Sequence, residues 1–127
     1  MKRILILIFL FLTLSSFTQR KIDGGTFDAD IYIIISDDTA CVKQFVLDSA
    51  NMEIAIEDLN ARAVTLYTYG NPIVMWFPEE PSTEILNHEL MHVVIFIMQW
   101  VGIPLSDETN EVYAFEMQYL TKQYYAR

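Results

Sequence analysis

Basic residues are scarce in this chain: eight Lys and Arg stand against 17 Asp and Glu in 127 residues, for a net charge of −9. Binding nucleic acid takes clustered cations to neutralise phosphates, so DNA and RNA are poor candidates as partners. Cysteine is scarcer still. Cys41 is alone, so no intramolecular disulfide can form, and its apolar neighbours Val42 and Phe45 lead us to expect a buried thiol. Four glycines and four prolines are too few for a low-complexity linker, and no segment repeats. No apolar run reaches the roughly 20 residues that cross a bilayer as a helix. What remains is the composition of one domain whose core needs no covalent staples.

The longest apolar run, Ile4 to Leu14, spans eleven residues with one threonine. Lys2 and Arg3 precede it, and Ser15-Ser16-Phe17-Thr18-Gln19 follow. That order of charged, apolar and small polar residues is the order of a secretory signal peptide. Residues 1–18 are therefore expected to be a cleaved signal, with residues 19–127 as a single domain in the periplasm or outside the cell. Removing Lys2 and Arg3 leaves six basic residues against 17 acidic ones, a charge of −11. Two alternatives stay open. An uncleaved segment would tether the domain to a membrane, and a true start near Arg20 would make it a cytoplasmic, phage- or prophage-encoded protein.

Hydrophobic periodicity orders the rest. Phe27 to Ile35 alternates and then turns continuously apolar, as a strand near a sheet centre does. Ser36-Asp37-Asp38 ends it and caps a helix over Thr39 to Ala50. Met52 to Asn60 fits either a short helix or a strand. Residues 63–69 and 73–77 flank Gly70-Asn71-Pro72, the pattern of a hairpin. Pro72 at the second strand's start predicts an edge position, where a missing N–H is tolerated. Next comes a helix opened by Pro81-Ser82-Thr83-Glu84 and closed by Gly102 and Pro104. A last helix is predicted from Ser106 or Asp107 towards Tyr124, with Tyr113, Met117, Leu120 and Tyr124 facing the core and Glu116 and Gln123 facing solvent. The expected fold is α+β, with a small sheet of about three strands packed on two helices.

Histidine is nearly as scarce as cysteine, and its placement is the most informative feature of the chain. Both histidines fall in His88-Glu89-Leu90-Met91-His92. At i and i+4 of a helix, two imidazoles share one face and can hold one metal about 2 Å from each nitrogen. Glu89 stands about 100° round the helix, where it can reach a metal-bound water without being a ligand. The run Val93 to Met98 is apolar all round, so the helix is expected inside the domain. Core histidines bonded to carbonyls are the ordinary alternative. A divalent cation would satisfy both histidines and the glutamate together.

A catalytic zinc takes three protein ligands and keeps one position for water. With both histidines used, the third ligand must be a carboxylate, and Asp107, Glu108, Glu111 and Glu116 are at hand. Glu111, beside Asn110 and one turn before the small Ala114, is the preferred third ligand. Glu108 is its main rival.

His88-Glu89-x-x-His92 followed by Asn110-Glu111-x-x-Ala114 resembles the zinc core of the gluzincins, the thermolysin-like metallopeptidases. More narrowly, Trp76 to Leu120 resembles small metallopeptidases encoded by tailed phages and prophages, through Pro78-Glu79-x-Pro81-Ser82-Thr83, Gly102-Ile103-Pro104-Leu105 and Asp107-Glu108-Thr109-Asn110-Glu111-x-Tyr113-Ala114. The resemblance implies a zincin-like fold, Zn2+ held by His88, His92 and Glu111, and Glu89 as general base in peptide-bond hydrolysis. It implies a peptide or protein substrate, for which the predicted edge strand Ile73 to Phe77 offers a line of strand addition. Two departures stand out. Phe115 occupies the place where thermolysin-like enzymes put an aspartate that supports a histidine, and no third histidine is present to steady an oxyanion; Tyr119 and Arg62 are candidates for that task. These departures keep a second reading open, a catalytically inactive zincin-like binding or phage accessory protein with a structural metal.

Overall fold

Side-chain alternation along two central strands sorts the core into two layers, one on each face of a sheet. The computed structural model describes residues 16–59 and 61–126. Its elements are β1 (Thr18–Asp23), β2 (Asp30–Ile35), α1 (Thr39–Ala50), β3 (Val64–Leu66), β4 (Ile73–Phe77), α2 (Thr83–Trp100) and α3 (Asn110–Tyr125). The four strands form one mixed sheet in the order β1-β2-β4-β3, with β2 and β4 parallel and the outer pairs antiparallel. The fold is α+β.

Ile31, Ile33, Ile73, Met75 and Phe77 point to one face and are covered by α2 and α3 through Leu86, Leu90, Val94 and Leu120. Ile34, Val74 and Trp76 point to the other, where α1 covers them with Val42, Val46 and Ala50. A period of two thus feeds both cores from the same strands, which is why β4 is buried at every position and reads as a continuous apolar run. Trp76 satisfies its indole N–H with the Ser36 carbonyl at 2.8 Å.

The helix signals act locally as their chemistry requires. Asp38 accepts from the Cys41 N–H at the start of α1, and Ser82 accepts from the Ile85 N–H at the start of α2. Pro81 therefore stands just outside α2 instead of in its first turn. Gly102 closes α2 with a φ of 72°, and the Ile103 N–H returns to the Met98 carbonyl at 2.9 Å. Residues 56–59 of the ambiguous stretch form a 3-10 turn.

Several expectations need correction. The expected small sheet forms and gains a fourth strand because Thr18–Asp23 pairs with β2, a segment whose sequence TQRKID is mostly exposed and carries little apolar signal. The β4 strand is not an edge. It is paired on both sides, and Pro72 lies just before the ladder, where its missing N–H costs nothing. No added strand can pair with Ile73–Phe77, and the free edge beside it is β3. Cys41 is exposed, because α1 turns Val42, Val46 and Ala50 to the sheet instead. The last helix begins later than predicted. The Thr109 hydroxyl accepts from the Ser106 N–H and donates to the Pro104 carbonyl, closing a turn before α3 starts. Glu116 is buried, although the spacing put it towards solvent. Among the described residues, no helix is long and apolar enough to cross a membrane. The predicted signal segment lies outside the described residues up to residue 15, and Thr18 opens β1.

Candidate functional site

The two histidines meet on successive turns of α2. Their Nε2 atoms lie 3.2 Å apart, with the ring planes at 82°. Two nitrogens each about 2.0–2.1 Å from a tetrahedral zinc stand about 3.3 Å from each other. The pair therefore fits two ligands of such an ion, as well as a single imidazole-to-imidazole hydrogen bond. His88 is exposed and His92 half-buried. The His92 ring stacks at 16° over Phe96, which in turn stacks with Tyr67, so packing limits the rotation of this imidazole.

Glu89 points from the same helix towards the sheet and is only 6% exposed. Its carboxylate would be costly there without a donor. The Thr65 hydroxyl, from the middle of β3, donates to Glu89 Oε2. One carboxylate oxygen is thus engaged, and the orientation of the other is set. Arg62, Ala63, Glu84, Ile85, His88 and Glu89 line a hollow of about 350 Å³ between the motif and the start of β3. The motif is therefore open to a small ligand.

The proposed third ligands lie beyond α2. Glu111 is exposed in the first turn of α3, and the described residues include no cluster of three His, Cys, Asp or Glu side chains placed to hold a metal. Glu108 is exposed as well, and a hydrogen bond with Ser106 holds its carboxyl below the usual range. Packing fixes how α3 leaves α2. The Tyr113 hydroxyl donates to the Ile103 carbonyl at 2.7 Å and ties α3 to the turn that ends α2. An apolar groove lined by Met91, Asn110, Ala114 and Met117 runs between the two helices. Phe115, where an acid would support a histidine, is 66% exposed. The donor set present is thus two imidazoles with one oriented carboxylate behind them.

Of the two candidates for steadying an oxyanion, Tyr119 is committed elsewhere. Its hydroxyl donates to Asp23 at 2.7 Å on the β1 side of the molecule. That bond, followed by one from the Gly25 N–H, holds the Asp23 carboxyl below its ordinary range. Arg62 borders the hollow at the motif. Close to Asp23 lies a residue that spacing had placed in solvent. Glu116 is 5% exposed, and its Oε1 has no partner among the described residues. Burial, with the Asp23 charge as a lesser cause, pushes its carboxyl up to about 7. Tyr124 is similarly enclosed; its hydroxyl faces Glu80 at 3.3 Å, Arg20 lies over its ring, and burial raises its phenol to about 12.

Thr65 is the residue that reasoning from sequence missed, and the burial of Glu116 is the feature it placed wrongly. Nothing marks Thr65 within a strand of threonine, valine and leucine, because its role arises only when β3 meets α2. No family model, curated protein or solved structure matches the chain.

Proposed function

We propose that this chain is a zinc-dependent metallopeptidase that hydrolyses peptide bonds at the His88-Glu89-x-x-His92 helix. One observation carries the reading. Two imidazole nitrogens converge at the separation a tetrahedral ion requires, beside a buried carboxylate that a neighbouring hydroxyl orients. In this reading His88 and His92 would hold the ion, with Glu111 as the third ligand. Bound zinc supplies a Lewis acid that lowers the pKa of water towards about 7.

The chain's own residues do the rest. Glu89 takes a proton from the attacking water and returns it to the leaving amine. Thr65 keeps the carboxylate in a fixed orientation by occupying Oε2. The free edge of β3 offers main-chain groups to an extended peptide, in place of the interior strand β4. A periplasmic or secreted location belongs to the same proposal and rests on the composition of residues 1–18.

A second reading has one observation in its favour. Phe115, where thermolysin-like enzymes place a supporting acid, is 66% exposed and gives a histidine no such support, as suits a zincin-like binding or accessory protein without turnover. Elemental analysis of the purified chain beside Glu111→Ala and Glu89→Gln separates the two. The peptidase reading expects about one zinc per chain, weakened in Glu111→Ala, retained in Glu89→Gln, and peptide hydrolysis that falls at least about a hundredfold in Glu89→Gln. Zinc without Glu89-dependent hydrolysis supports the binding protein, and no zinc after incubation with the metal removes both.

A further inference from the structure

The hollow beside the motif is bordered by a cation in a chain where cations are rare. Arg62 is the only Lys or Arg in its lining, drawn from eight in the whole sequence. Glu84 lines the same hollow, yet Arg62 has neither an ion pair nor a hydrogen bond to any described residue. Its guanidinium is left available to a ligand. We infer that Arg62 anchors the C-terminal carboxylate of a short peptide in this hollow, so that the site acts on the C-terminal ends of chains. The inference rests on the peptidase reading above.

Position supports this as much as charge does. Arg62 lies two residues before β3, and Thr65 in that strand contacts Glu89. Three residues span at most about 10 Å, and Arg62 sits in a bend just before the strand. A peptide lying along the free edge of β3, with its reacting carbonyl beside Glu89 and His88, has its end within reach of the Arg62 side chain. The hollow, at about 350 Å³, is at the small end of ligand sites. Open to solvent along its length, it suits the last residue or two of a peptide held by a charge at one end. Ala63 and Ile85 supply apolar walls for a side chain, while the planar fork of a guanidinium matches a carboxylate through two parallel hydrogen bonds. Hydrolysis there breaks one C–N bond. The hydroxyl of water joins the acyl carbon, and its proton goes by way of Glu89 to the amine of the released C-terminal fragment.

The test is a binding titration that does not depend on turnover. The chain is titrated with N-acetyl-dialanine as the free acid and as the C-terminal amide, following the Arg62 Nε–H signal by NMR in the unaltered chain and the backbone amides in Arg62→Gln and Arg62→Lys. The free acid is expected to bind about tenfold more tightly than the amide, as one charge-assisted contact allows. That preference should vanish in Arg62→Gln and survive in part in Arg62→Lys, which keeps the charge and loses the fork. Equal binding of acid and amide by the unaltered chain overturns the anchor, and so does a preference that persists in Arg62→Gln. The parent reading fails separately. A chain that prefers the acid but shows no Glu89-dependent hydrolysis keeps the anchor and loses the peptidase, whereas Glu89-dependent cleavage inside long peptides without preference for ends does the reverse.

Discussion

Glu116→Gln should stabilise the protein at alkaline pH and leave it nearly unchanged in mild acid. The carboxyl of Glu116 is almost wholly enclosed, with Oε1 unpartnered among the described residues. Burial and then the Asp23 charge lift it from the ordinary 4.5 to about 7. Between those values the folded chain binds a proton that the unfolded chain releases, so stability falls as pH rises from about 4.5 to 7. Above about 7 the folded protein carries the full penalty of a buried carboxylate facing Asp23. A gap of about 2.5 at 1.36 kcal/mol each gives an upper bound of about 3 kcal/mol. Water around the exposed Asp23 screens part of it, which brings the expected effect to about 1–3 kcal/mol.

Glutamine keeps the shape and removes the titration. Urea unfolding of both proteins at pH 5 and pH 8.5 measures the difference directly, since contributions from other groups cancel between them. The advantage of the glutamine variant should grow by about 1–3 kcal/mol across that range. A stability difference between the parent and Glu116→Gln that is the same at both pH values would refute the reasoning.

Thr65→Val removes the hydroxyl that donates to Glu89 while keeping the branched shape of a strand residue. Its buried acceptor loses a partner, which should cost about 1–3 kcal/mol of stability; an unchanged urea midpoint would deny Thr65 its role. Leu90→Ala empties a fully buried position one residue after Glu89, between the motif helix and the sheet. A loss of about 2–5 kcal/mol is expected, read as a lower urea midpoint with an unchanged slope, and a loss under about 1 kcal/mol would mean that this face of α2 is not packed as described.

The meeting of the two histidines was legible before any fold was known. The two histidines had to meet, because i and i+4 on a helix leave them no other choice, and the capping residues Ser82 and Gly102 bounded that helix from sequence alone. Period-two alternation and the hairpin signal marked the central strands, and the spacing of Thr39 to Ala50 marked α1. Local chemistry decides such features, since each depends on residues within a turn or two. What it could not decide was which strand lies at the edge and where Glu116 points. Those answers depend on contacts between segments distant in the chain. TQRKID became a strand only because β2 offered it a ladder, and β4 became interior because β2 and β3 pair with it on either side. Thr65 came to Glu89 from 24 residues away through the meeting of β3 and α2. Helical periodicity specifies which residues share a face; only the packing of that face against other elements determines whether it meets solvent, a core or a ligand.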